Sequence, residues 1–277
     1  MPEKIFNIVN DLFYKGILIN KASTNGSIKV IDTSNINPPI SFPSNNSKSP
    51  LNTTHSELLI ANILKTLSSM QDKKHASQSI GVIVPFTQQK RFIQYLTQVR
   101  YLPDSLEVGV VHTFQGREKP KIYFDLTLSN IDFTYPNFDE SKTSLTDVSR
   151  LLNVAISRCQ SSSSGHFDGE FVLLANVDHF KTFYPDGIVL KFINAILDSA
   201  DEIIEIAQPI NPLKLSEQED GQMDIFNEPE EEEITSINEK EESKDEEKID
   251  DLVSSSNNQR IQKEIEKNCT KITREIQ

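Results

Sequence analysis

Apolar positions along the first 200 residues fall into two kinds of run. Ile80–Phe86, Leu106–Thr113 and Phe171–Ala175 are short, continuous and rich in β-branched residues, which predicts strands buried on both faces of a parallel sheet. Lys121–Leu128 alternates and predicts another strand, and residues 27–32 a further short one. Helical spacing marks Ser56–Ser69, through Leu58, Leu59, Ile60, Ile63, Leu64 and Leu67, with Ser56 as the candidate cap. The same spacing predicts helices over Gln88–Val99, over Leu145–Gln160 and from Gly187 to Ser199. Residues 5–19 mix apolar and polar positions around Phe13, Tyr14 and Gly16. Residues 33–54, rich in Ser, Asn and Pro, read as a mobile loop. Residues 70–78 read as a polar connection and 129–144 as loop.

Strands alternating with helices predict an α/β fold with a mostly parallel sheet flanked by helices. Active groups in such sheets sit beyond the carboxyl ends of the strands. That rule directs attention to the residues after Val84, Val111 and Leu128 and to the start of the Leu145 helix.

Charge divides the 277-residue chain. Residues 1–200 are balanced at +1, whereas residues 201–277 carry −14. The first part is long enough for a full core. Residues 201–258 read as a disordered acidic tail, because runs such as Glu230–Glu233 repel themselves and lack core formers. Residues 259–277 space Ile261, Ile265, Ile272 and Ile276 at near-heptad intervals. This segment is either a short helix that docks on a partner or a marginal solvated one. Cys159 and Cys269 are the only cysteines, which excludes a disulfide framework and a cysteine-based zinc site. No secretory signal and no apolar run of membrane-spanning length occurs. The expectation is a soluble intracellular protein, of cytoplasm or nucleus, with no membrane partner.

Three segments carry chemistry. The first is Ile80-Gly81-Val82-Ile83-Val84-Pro85-Phe86-Thr87-Gln88-Gln89. The second is Phe114-Gln115-Gly116-Arg117-Glu118-Lys119, where a glycine beside a guanidinium and a carboxylate allows close approach of a hydroxyl, metal or phosphate. The third is the helix with Asp147, Arg150, Asn153, Val154, Ser157 and Arg158 on one arc and Val148, Leu151, Leu152, Ala155, Ile156 and Cys159 on the other. Arg150 and Arg158 are about 12 Å apart along its axis. Taken singly, each also reads as scaffold: a buried strand, a polar turn with a local ion pair, an amphipathic helix with solvated arginines.

In this order and spacing, the three resemble motifs IV, V and VI of superfamily 1 helicases, specifically the Upf-like group that includes senataxin. Phe13-Tyr14-Lys15-Gly16-Ile17-Leu18 is similar to the segment that opens the second motor domain of that group, and Phe171–Asn176 to the strand that follows motif VI. The resemblance covers about residues 5–195. It implies a RecA-like P-loop NTPase fold for residues 1–200 and a cleft in which ATP and Mg²⁺ are held jointly with a first RecA-like domain. It implies that Arg150 and Arg158 are the candidate catalytic arginines. Gln89, Gly116 and Glu118 would contact ATP, with Glu118 near the ribose or the metal. Pro85, Phe86, Thr87, Thr113 and Gln115 would touch single-stranded RNA or DNA. No protein metal ligand is implied.

Departures qualify the expectation. Leu151 replaces the second arginine of motif VI; if that is the family's finger, Arg150 must reach the phosphate instead, and the motif leaves open which arginine is the finger. His112 replaces an acid before motif V and is expected to be a structural histidine at a strand end. Leu128 replaces an arginine, and residues 160–170 enlarge a turn. No Gly-x-x-x-x-Gly-Lys-Ser/Thr occurs in the chain. The expectation is therefore a second motor domain that hydrolyses no ATP alone. The alternative is a non-catalytic interaction module that recruits a protein partner through its acidic tail.

Overall fold

A computed structural model describes residues 1–207, except positions 20, 22–23, 43–48, 71, 115, 132–133, 143 and 162–166 and the side chain of His75. The expectations for the acidic residues beyond 207 and for the 259–277 segment lie outside the described residues, as does Gln115.

Six strands form one all-parallel sheet. They are β1 (Ser27–Asp32), β2 (Ile80–Val84), β3 (Glu107–Val110), β4 (Lys121–Asp125), β5 (Glu170–Ala175) and β6 (Glu202–Glu205), in spatial order β3-β2-β4-β5-β1-β6. Helices α1 (Glu3–Phe13), α5 (Leu145–Ser157), α6 (Val177–Phe183) and α7 (Ile188–Ser199) cover one face. Helices α2 (Thr53–Ser68), α3 (Lys73–Gln78) and α4 (Thr87–Val99) cover the other. Alternation along each strand feeds both cores: Ile122 and Phe124 of β4 join the α5–α7 side, and Tyr123 joins the α2–α4 side. This is an α/β architecture with one all-parallel sheet covered by helices on both faces. Among the described residues no helix is long and apolar enough to cross a membrane.

Several boundaries differ from the sequence reading. Residues 5–12 are helical: Ile5, Ile8 and Val9 are buried, with Leu12 packed against the same core. Helix α2 begins at Thr53, and its cap is Asn52, whose side chain accepts from His55 N. Ser56 is a buried residue in the first turn, not the cap. The 33–54 stretch is tied down near its end, where Ser41 and Leu51 exchange backbone hydrogen bonds at 2.8 Å. The supposed connection at 70–78 contains α3. Strand β4 stops at Asp125 and is buried at all five positions. Its alternation therefore reflects two covered faces and not a solvated one. Lys121 at its start is 4 % exposed and pairs with Glu170 at 2.9 Å. The sheet also continues past residue 200: β6 pairs with β1 and places Ile204 beside the second core.

Candidate functional site

Helix α5 presents the faces expected of it. Val148, Leu152, Ala155, Ile156 and Cys159 are buried, and Arg150 is exposed. Ser144 caps the helix, accepting from Asp147 N at 3.2 Å and donating to Asp147 Oδ2 at 2.8 Å. The other carboxylate oxygen of Asp147 lies 3.7 Å from Arg150 Nη1, with both side chains more than half exposed. A pair this open and this long holds the guanidinium only weakly. Arg150 lines a cleft of about 360 Å³ with Val111, His112, Asn137, Asp147 and Leu151. His112 is exposed on a 3-10 turn (Val111–Phe114) and is thus a cleft residue, not a buried structural histidine. Lys142 also borders the cleft, but its ammonium is bound to the Thr134 carbonyl at 2.9 Å and the Thr134 hydroxyl at 2.7 Å.

Arg158, at the opposite end of α5, is arranged differently. Its Nε donates to Val154 O at 3.3 Å and its Nη2 to Ser157 Oγ at 3.1 Å. Its carbonyl accepts from Lys119 N at 3.0 Å. The second motif thus runs alongside α5. The residues just before it, Val111 and His112, share a cleft with Arg150, and its last residue, Lys119, is joined to the Arg158 backbone.

Phe114 anchors that segment. It is fully buried, with its ring in the space left by two glycines: a Cβ at Gly109 would stand 2.8 Å from it and one at Gly81 2.9 Å. Gly116 follows with φ +79°, a conformation that favours glycine, and a Cβ there would meet no atom within 4 Å. The backbone at Gly116 therefore borders open space that a ligand can approach closely. Glu118 is exposed beside it. Arg117 is committed to Glu107 at 2.5 Å. Burial raises the Glu107 pKa, but hydrogen bonds from Arg117 and Lys119 outweigh this and hold the carboxyl below its usual range.

Gln89 and Phe86 are corrections to the sequence reading. Gln89 is fully buried. Its Nε2 lies 2.6 Å from Asp125 Oδ2 and 3.1 Å from Ser56 Oγ, and its Oε1 accepts from Asn52 N at 2.8 Å. Asp125 Oδ1 accepts from Thr127 N at 2.7 Å and meets His55 Nδ1 at 2.7 Å. His55 Nε2 in turn lies 2.9 Å from Thr33 Oγ1. Thr33, His55 and Asp125 are aligned like a proton relay, yet all three are fully buried. Gln89 has no surface to offer ATP. It ties the start of α2 to the end of β4. Phe86 is 4 % exposed and packs edge-on against Tyr135 and Phe138, with centroids at 4.9 and 6.2 Å. It is a core residue and does not face a nucleic acid strand.

The remaining positions are divided. Pro85 is half-buried, and its carbonyl lies 3.5 Å from Asn137 Nδ2. Thr87 and Thr113 are exposed. The Thr113 hydroxyl donates to Val110 O at 2.8 Å. Among the described residues, no group of three or more His, Cys, Asp or Glu is placed to hold a metal.

The residues fit a nucleotide in part. Gly116 has open space before it, and Arg150 carries a positive charge whose one ion pair among the described residues is weak. No curated protein matches the chain. Among solved structures it is similar to the C-terminal domain of a possible DNA helicase from Lactobacillus plantarum WCFS1. That match has 11 % identity and a TM-score of 0.34, covering 62 % of this chain and 84 % of the other. A family model described as an AAA domain matches residues 1–164, more than half of the chain. The chain belongs to that family, which is found in the C-terminal domains of Upf-like superfamily 1 helicases.

Proposed function

We propose that this domain is the second half of an ATP-driven motor on single-stranded RNA or DNA. Its partner is a first RecA-like domain, which carries the phosphate-binding loop. ATP with Mg²⁺ supplies the phosphoryl group to be hydrolysed. This chain's part is to place Arg150 against the charge that develops on the γ-phosphate oxygens, with Gly116 and Glu118 beside the nucleotide. Phosphoryl transfer depends on such positioned charge, and an arginine supplied across a cleft is worth about 10³–10⁵ in rate.

One observation carries the reading. Arg150 is exposed on a cleft lined also by Val111 and His112, which lead into the Phe114–Lys119 segment, and among the described residues its guanidinium has a single ion pair, a 3.7 Å contact to Asp147. The Arg158 guanidinium is bonded within its own helix, to Val154 O and Ser157 Oγ, and Lys119 is held by the Arg158 backbone carbonyl. Exposed Thr87 and Thr113 and half-buried Pro85 would meet the nucleic acid, mostly through its phosphates.

The test is ATP turnover by this chain alone, mixed with a first motor domain, and joined to it, with single-stranded RNA and DNA present. The chain alone is expected to be silent and the combination active. Arg150→Ala should lower turnover about 10³-fold or more, and Arg158→Ala far less. Turnover by the chain alone, or full activity of Arg150→Ala, would overturn the proposal. An inactive combination that still binds protein partners through residues 208–277 would favour the interaction-module reading.

A further inference from the structure

Strands β1 and β5 are neighbours in the sheet, but the chain leaves them in opposite directions. After β1 it passes to the α2–α4 layer, and after β5 to the layer of α6 and α7. Where adjacent parallel strands part in this way, a crevice opens beyond their carboxyl ends, and ligands of open α/β sheets bind in such crevices. Here the crevice holds about 680 Å³, within the range of small-molecule sites.

Its lining is specific in chemistry. Ser34 and Asn37 come from the loop after β1, Asn130 from the loop after β4, and Asn176, His179 and Phe183 from the end of β5 and from α6. The three asparagines are joined. Asn37 Oδ1 accepts from Asn176 Nδ2 at 2.8 Å and from Asn130 N at 3.1 Å, and Asn37 Nδ2 lies 3.3 Å from Asn130 Oδ1. These bonds fix the amides in place and leave further N–H groups, such as those on Asn130 Nδ2, without a partner among the described residues. His179 is 5 % exposed, and its Nε2 is likewise buried without a partner among them. Its ring packs against Phe183 at 4.9 Å.

Among the described residues no lysine or arginine lines the crevice, and Asp178 is part of its lining. A phosphate would gain no cation there. A purely apolar ligand would leave the amides and the imidazole unpaired, which is costly. The lining suits a flat, neutral ligand with hydrogen-bonding edges.

We propose that this crevice receives one nucleobase of the single strand the domain engages, its edge met by the Asn37 and Asn130 amides and its face by Phe183. The inference rests on the nucleic-acid reading above. The crevice lies on the same sheet edge as Thr87 and Thr113. From β2 to β1 is three strand positions, roughly 14 Å, within reach of a short stretch of extended strand. The phosphates would stay over the threonines while the base turns down between the strands.

The test uses the full chain and two single-stranded oligonucleotides of equal length and charge, one normal and one with abasic positions. Asn130→Gly is the variant, because Asn130 has φ +45° and glycine keeps that conformation while removing the amide. The wild type should bind the normal strand roughly tenfold more tightly than the abasic one, the size of one stacking contact. Asn130→Gly should shrink that preference severalfold with the salt dependence unchanged. Equal binding of the two strands, or an unaltered preference in Asn130→Gly, overturns this proposal and leaves the nucleic-acid reading standing. Failure to bind either strand overturns both. Amide shifts at Asn130 and Asn176 on adding a free nucleoside to a chain that ignores both strands would reassign the crevice to mononucleotides.

Discussion

Two polar clusters sit near the carboxyl edge of this sheet, and they are built on opposite terms. Around Gln89 and Asp125 the side chains close on one another, inside the fold. Arg150 is exposed, and among the described residues its guanidinium has one ion pair, long and open to solvent. Both contain letters of helicase motifs. The difference shows that a motif residue can serve either the scaffold or the ligand, and that spare hydrogen-bonding capacity at an open surface separates the two. Buried groups that satisfy each other are costly to disturb and offer nothing to a substrate.

The sharpest way to break the comparison is Asp125→Ala. It strands the His55, Gln89 and Thr127 donors in the interior and should cost about 3–5 kcal/mol of stability, read as a lower midpoint in urea. A cost below about 1 kcal/mol would mean that the closed cluster does not hold the fold.

Acid titration tests a second buried polar group. Burial among Phe180, Phe183 and Tyr184 pushes the His179 pKa down to about 4. An unfolded histidine protonates near 6.5. Between those values the unfolded chain binds the extra proton, so this contribution to stability is present above pH 6.5 and is lost as pH falls toward 4. The loss should reach about 3 kcal/mol in urea titrations at successive pH values. His179→Phe should flatten that part of the profile.

Gln89→Ala should follow at about 1–3 kcal/mol, measured in the same way, with no change in nucleotide affinity beyond what unfolding explains. The smallest effect completes the contrast. Arg150→Ala should alter stability by less than about 0.5 kcal/mol, although it removes most of the turnover. A large shift in its urea midpoint would mark Arg150 as a scaffold residue.

The sheet was largely legible in the sequence because its central strands are uninterrupted apolar runs. Strand β6 was not, since Glu202-Ile203-Ile204-Glu205 is short, one-sided and flanked by acidic residues that resemble the tail. Helix α1 had the right spacing at Ile5, Ile8, Val9 and Leu12, but the aromatic and glycine residues after it blurred the period. At the candidate site, the two faces of α5 could be read from its 100° periodicity. The fate of Gln89 could not, because its partners Asn52, Ser56 and Asp125 lie more than thirty positions away in sequence. Phe86 was misassigned because a residue after a strand can point into the core as readily as toward a ligand. The tight seat of Phe114 did leave a signal, in the glycines at 81 and 109.

Pro2 rests against Gly26 and Gly169, and any side chain at either glycine would collide with it. Both glycines have positive φ, so the contact is specified twice. The start of α1 is thereby pinned beneath the amino ends of β1 and β5, whose first residues are Ser27 and Glu170. A fusion that joins a first motor domain ahead of Met1 must enter from that underside. Its linker has to climb the depth of the sheet, roughly 20 Å for a six-residue strand, before the two halves can meet over Arg150. A tether cut shorter than that would give an inactive hybrid for reasons of reach alone, with every side chain in the cleft intact.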